Sequence, residues 1–70
     1  MIYIYGIDNC EFCEKAKALA CEKGIEFKYV DMPTILERKI IGNKYGMRTA
    51  PIITEDEILI GGYTEFKNLI

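Results

Sequence analysis

The stretch that decides the fold runs Ile2-Tyr3-Ile4-Tyr5-Gly6-Ile7-Asp8-Asn9-Cys10-Glu11-Phe12-Cys13. Its first half alternates Ile and Tyr, the pattern of a short strand. Gly6 to Asn9 carries Gly, Asp and Asn, the residues of a loop. From Cys10 the period changes to that of a helix. Phe12, Ala16, Leu19 and Ala20 recur so as to mark one apolar face. Glu11 and Glu14 lie in the first turn and Lys23 in the last, in keeping with the helix dipole. Gly24 is placed to stop the helix. A C-x-x-C pair, Cys10 and Cys13, thus falls where a strand–loop gives way to a helix.

The same reading carried onward gives a second strand over Ile25–Val30. A second helix opens at Pro33, with Ile35, Leu36, Ile40 and Ile41 as its apolar stripe and Gly42 to Gly46 as its end. A third strand spans Ala50–Thr54, a polar turn Thr54–Glu57 and a fourth strand Glu57–Ile60. Gly61 and Gly62 break that strand. Thr64 is placed to cap a short last helix with Phe66, Leu69 and Ile70 inward. The order is β-α-β-α-β-β-α, with the first two strands parallel and the last two an antiparallel hairpin. No linker, repeat or low-complexity segment interrupts it, so residues 1–70 read as one domain.

Composition narrows the function. Half of the residues are hydrophobic, enough for a compact core. Chains this short often lean on disulfides or a structural metal. Three cysteines and no histidine cannot supply the four ligands of a tetrahedral zinc site. A Cys10–Cys13 bond closes too small a loop to constrain the unfolded chain much. Packing must therefore hold the fold, and the cysteine pair is free for chemistry. Nine basic and eleven acidic residues are mixed along the chain, a net charge of −2 with no basic stripe, so a nucleic-acid footprint is missing. No apolar run reaches the ~18–20 residues of a membrane span. Met1–Gly6 lacks the basic start of a signal peptide. A reducing, cytosolic setting follows, where cysteine pairs are more often catalytic or metal-binding than structural.

C-x-x-C at a strand–helix junction is a redox signature. Exchange needs a thiolate, and the unpaired N–H groups and partial positive charge of a helix start favour the anion. Cys10, outermost, reads as the nucleophile. Cys13, three residues on and better shielded, reads as the resolving thiol. Asp8, Glu11 and Glu14 work against the thiolate; Lys15 and Lys17 are the nearest cations. Cys21 lies ~12 Å along the helix from Cys13, beyond disulfide reach. It reads as a small helix-packing residue.

Three blocks together resemble the glutaredoxin family over nearly the whole chain. They are Cys10-Glu11-Phe12-Cys13 after a Tyr-Gly strand end, Gly46-Met47-Arg48-Thr49-Ala50-Pro51, and Gly61-Gly62-Tyr63-Thr64-Glu65-Phe66. The resemblance implies an α/β thioredoxin fold with a four-stranded mixed sheet of order 2-1-3-4 and helices on both faces. It implies a monomer with no permanently bound cofactor and no metal, using glutathione as co-substrate on disulfide-bearing proteins. By resemblance Pro51 is cis, beside the nucleophile. There Ala50, after Thr49, offers its backbone to a bound cysteinyl segment. Gly62, Tyr63, Thr64 and Glu65 correspond to the γ-glutamyl end of the glutathione site. The N–H groups of Thr64 and Glu65 would hold a carboxylate, and the Glu65 side chain the ammonium. Phe12 is an aromatic wall, Tyr63 another, and Arg48 or Lys44 a partner for the glycine carboxylate. Glu11 stands where many relatives have Pro, Phe12 replaces Tyr, Ala50 replaces Val, and Ile7 occupies an often basic position. Two other functions fit the same residues. One is an electron donor, for instance to ribonucleotide reductase, recharged by thioredoxin reductase. The other is an iron–sulfur carrier in which Cys10 and glutathione from two chains hold a cluster.

Overall fold

A computed structural model describes residues Met1–Ile70. In order the elements are β1 (Ile2–Gly6), α1 (Glu11–Glu22), β2 (Phe27–Asp31), α2 (Ile35–Tyr45), β3 (Ile52–Glu55), β4 (Ile58–Gly61) and α3 (Tyr63–Leu69). The four strands form one sheet in the order β2-β1-β3-β4. β1 pairs parallel with β2, Ile4 opposite Tyr29, and antiparallel with β3, Ile4 opposite Ile53. β3 and β4 are the antiparallel hairpin, turned through Asp56 at φ 53. The element order is the one expected from the sequence pattern, and the sheet order the one the family resemblance implied.

The alternation of β1 assigns its two faces. Ile4 points into the core, so Tyr3 and Tyr5 point to the other side. On the core side, α1 presents Cys13, Ala16 and Ala20, all fully buried. Two alanines let the helix lie close to the sheet, and the volume comes from Phe66 of α3, packed with Ile4 and Ile53. Thr54 is the buried polar exception, and its Oγ1 donates to Asp56 O at 2.9 Å, so the hydroxyl is satisfied. On the opposite side the Tyr45 ring of α2 packs over Tyr5, with centroids 6.1 Å apart.

Several local expectations are corrected. Pro33 precedes α2 rather than opening it, because Thr34 is the cap and accepts the Glu37 N–H at 3.1 Å. The α2 stripe does not face the core. Ile35, Leu36 and Ile40 are 68, 67 and 57% exposed, and Gly42 is the buried residue of this helix. α2 meets the body through Gly42 and Tyr45, toward its C-terminal end, which leaves the first turns in solvent. Leu69 and Ile70 also face outward, and Phe66 is the one fully buried residue of α3, with Tyr63 packed partly against the core. Cys21 is exposed, not packed. Strands β2 and β3 begin two residues later than the sequence reading placed them. Gly24 does end α1 at φ 67. Its N–H donates to Cys21 O and that of Ile25 to Ala20 O, the paired bonds of a left-handed helix stop. No helix is long and apolar enough to cross a membrane.

Candidate active site

Cys10 is the N-cap of α1, in extended conformation with φ −113. Its Sγ accepts the Cys13 N–H at 3.1 Å. A sulfur at this place takes up one of the unpaired donors of the helix start, the interaction that stabilises a thiolate once the pair is reduced. Cys10 and Cys13 are joined as a disulfide, with Cα atoms 5.2 Å apart. Cys10 is half-buried, whereas Cys13 has no exposed surface. The two sulfurs are thus unequal in access, in the sense the spacing implied.

Acidic residues at the start of α1 are paired locally. Lys15 Nζ lies 3.9 Å from Glu11, and Lys17 Nζ lies 2.9 Å from Glu14. The Glu14 contact raises the Lys17 pKa above its usual value. Glu11 and Glu14 therefore each have a counter-charge, which softens their opposition to a thiolate, whereas Asp8 has no such partner.

Cys10 Sγ sits 3.9 Å from Ala50 O, on the loop before β3. The Ala50–Pro51 peptide is cis. Beyond it opens a groove of about 330 Å³, lined by Thr49, Ala50 and Pro51 on one side and Gly62, Tyr63, Thr64 and Glu65 on another. Phe12, from the first turn of α1, faces Tyr63 across it with ring centroids 5.8 Å apart. Phe12 is 50% exposed, so it belongs to the groove and not to the buried face the sequence pattern gave it. Of the ten residues beyond Cys10 and Cys13 that the sequence raised for this site, eight line the groove, while Arg48 is exposed and, like Lys44, lies outside the lining.

Lys44 is also elsewhere. It pairs with Glu57 at 3.4 Å in the Tyr3–Tyr5–Tyr45 hollow on the far side of the sheet. Thr64 does not cap α3. Gly62 is the N-cap residue, and the Glu65 carboxylate reaches back to accept the Gly62 N–H at 2.7 Å. One oxygen of the carboxylate expected to meet a ligand ammonium is thus engaged with backbone. Met47 completes the lining and was missed. Nothing in a methionine between Gly46 and Arg48 signals a groove; only its neighbours in the second block do.

A mixed four-stranded sheet, with a dithiol pair at the start of its first helix facing a cis-proline loop, defines the thioredoxin-like class. Within that class the chain belongs to the glutaredoxin family, whose model matches residues 2–60. Glutaredoxin 1 of Rickettsia felis is 34% identical over 64 residues, 87% of this chain and 63% of that protein. The chain thus spans somewhat less than two thirds of that relative's length. The glutaredoxin-like protein NrdH of Lactococcus lactis subsp. cremoris is 30% identical over 66 residues, 90% of this chain and 88% of that protein. Among solved structures, glutaredoxin from Brucella melitensis superposes with a TM-score of 0.82 at 32% identity, covering 97% of this chain and 75% of that one.

Proposed function

We propose that this protein is a glutathione-dependent thiol–disulfide oxidoreductase acting on protein disulfides and glutathione mixed disulfides. One observation carries the reading: an accessible Cys10 sulfur at a helix start, backed by a fully enclosed Cys13, opens beside a groove with apolar walls. Cys10 as thiolate attacks one sulfur of the substrate disulfide. That S–S bond breaks, a Cys10–substrate disulfide forms, and the released thiolate takes a proton. Cys13 then loses its proton and attacks Cys10 Sγ, expelling the second substrate thiol. The substrate has gained two electrons and the Cys10–Cys13 pair has lost them. Two glutathione molecules return the electrons and leave as glutathione disulfide. The groove residues Phe12, Thr49, Ala50, Pro51, Gly62, Tyr63, Thr64 and Glu65 hold the extended segment that carries the reacting cysteine. The working unit is a monomer in a reducing, cytosolic setting.

A second reading has a specific observation in its favour. No lysine or arginine lines the groove, so glutathione carboxylates find no cation there. That favours recharging by thioredoxin reductase, with ribonucleotide reductase as one acceptor. A turnover assay with glutathione plus glutathione reductase, run beside one with thioredoxin reductase, separates the two. Cys10→Ser abolishes exchange in both, while Cys13→Ser retains glutathionyl transfer. Full activity in Cys10→Ser removes the assigned roles, and turnover with thioredoxin reductase alone transfers the case to the second reading.

A further inference from the structure

The face of the sheet away from α1 carries a hollow that the cysteine chemistry does not use. Its volume is about 430 Å³, and Tyr3, Tyr5, Lys44, Tyr45, Asp56 and Glu57 line it. It shares no residue with the groove beside Cys10. The strand period makes its floor. Tyr3 and Tyr5 project from one face of β1, with ring centroids 6.4 Å apart and planes 25° from parallel. Tyr45, at the end of α2, closes it from above, 6.1 Å from Tyr5. The Tyr45 hydroxyl is enclosed yet has no hydrogen-bond partner, a costly state for a buried polar group.

The charges lie at the rim. The Glu57 carboxylate has one partner, the Lys44 ammonium at 3.4 Å, and its side chain is 83% exposed. The same ammonium stands 5.3 Å from the centre of the Tyr45 ring. Asp56 and its neighbour Glu55 share the Met1 ammonium, at 3.2 and 3.3 Å. Three carboxylates thus face two cations, and the ring faces add to the negative potential. The hollow suits positive charge, and Lys44 supplies it only loosely. An ammonium is a compact charge that prefers water. A guanidinium is planar and weakly hydrated, stacks on aromatic faces and forks to a carboxylate. It also has N–H groups to spare for the Tyr45 oxygen. A guanidinium therefore gains more here than Lys44 does. Because Lys44, Asp56 and Glu57 are exposed at the mouth, the hollow takes the head of a long side chain and leaves the rest of its bearer outside.

We propose that this hollow receives an arginine side chain of a protein partner, which stacks on the tyrosine rings and takes Glu57 from Lys44. The contact leaves the groove beside Cys10 uncovered. The inference does not depend on the redox assignment.

The experiment is a titration of the full chain followed by aromatic and amide NMR shifts. The probes are a capped glycine-arginine-glycine tripeptide, its lysine and citrulline counterparts, free arginine, and inorganic phosphate. The arginine tripeptide gives saturable shifts at Tyr3, Tyr5 and Tyr45. The lysine tripeptide binds more weakly, and the citrulline one, of the same shape without the charge, leaves those signals in place. Glu57→Gln weakens arginine binding about threefold. Lys44→Met, which keeps the stem and removes the competing ammonium, tightens it about threefold, each in line with an exposed charge pair. Unaltered shifts at Cys10 and Cys13 show that both variants are folded. Weaker binding in Lys44→Met, or a response to phosphate in place of arginine, would make the hollow an anion site and overturn the proposal. Equal binding of the arginine and citrulline tripeptides overturns it as well. So does free arginine binding more tightly than the tripeptide, or the lack of a saturable shift with every probe.

Discussion

Replacing Gly42 by alanine sets two effects of similar size against each other, and the structure says which wins. Gly42 lies inside α2, where glycine costs about 1 kcal/mol relative to alanine. On helix propensity alone the substitution stabilises. A Cβ at this position would stand 2.6 Å from Met47 O, against an ordinary contact of at least 3.4 Å, a shortfall of 0.8 Å. The obstacle is backbone, so no rotamer change relieves it. The same turn is tied down by the Met47 N–H donating to Gly42 O at 2.9 Å. Such overpacking costs about 1–3 kcal/mol, which leaves a net loss of about 1 kcal/mol after the propensity gain. For a domain of this size that lowers the melting temperature by roughly 4–8 °C.

The turn leads directly into Thr49, Ala50 and Pro51 of the groove. A displacement approaching 1 Å at a reacting geometry slows a reaction by up to about 100-fold. A shift of half that size predicts a loss of about tenfold in the rate of disulfide reduction. Gly24→Ala is the matched control. Gly24 has φ +67 with open space around it, so alanine there is strained by about 1–2 kcal/mol while the groove stays put. Thermal melting by circular dichroism and single-turnover reduction of a neutral peptide disulfide are measured for both variants. Gly42→Ala loses stability and rate; Gly24→Ala loses stability alone. A Gly42→Ala protein that melts higher than wild type with an unaltered rate would falsify the reasoning.

Phe66→Ala is expected to cost about 3–5 kcal/mol, because Phe66 is the largest fully buried side chain and the one fully buried residue of α3. That is much of the roughly 4–10 kcal/mol a domain of this length possesses; a urea midpoint close to wild type refutes the assignment of the core. Alkaline pH is expected to destabilise the fold. Desolvation holds the Tyr29 and Tyr5 hydroxyls above the ordinary value of 10.0, and the Glu14 contact raises Lys17 above 10.5. Below pH 10 folded and unfolded chains keep these protons alike. Above it the unfolded chain releases them first, so stability falls as pH rises toward the folded values. Melting temperatures across that window drop less steeply in Tyr29→Phe, and an identical slope in the two proteins contradicts the burial of the hydroxyl.

The alternating Ile and Tyr of β1, the helical period after Cys10 and the glycine at position 24 carry their structural meaning locally. They depend on backbone geometry within a few residues, and so element order and the place of the cysteine pair were legible from the chain alone, while the β2-β1-β3-β4 sheet order came only with the family resemblance. Spacing likewise placed Cys13 inside the unequal pair, since residue three of a helix turns toward the body that residue zero leaves. What period alone does not say is whether an apolar face has anything to cover. Ile35, Leu36 and Ile40 have the spacing of a core stripe, yet α2 docks through Gly42 and Tyr45 and leaves them in water. Phe12 fits the α1 stripe equally well but lies at the helix start, where Tyr63 of another element recruits it to the groove.

The charges follow the same division. Arg48, Lys44 and Glu65 are equally plausible ligands as letters in a sequence. Their fates were decided by non-local neighbours: Glu57 for Lys44, the Gly62 N–H for Glu65, and for Arg48 a loop that sends Met47 and Thr49 into the lining and leaves it outside. A long side chain has several rotamers within reach of one backbone position. Which is occupied depends on what the rest of the fold brings alongside, and only the assembled tertiary structure supplies that.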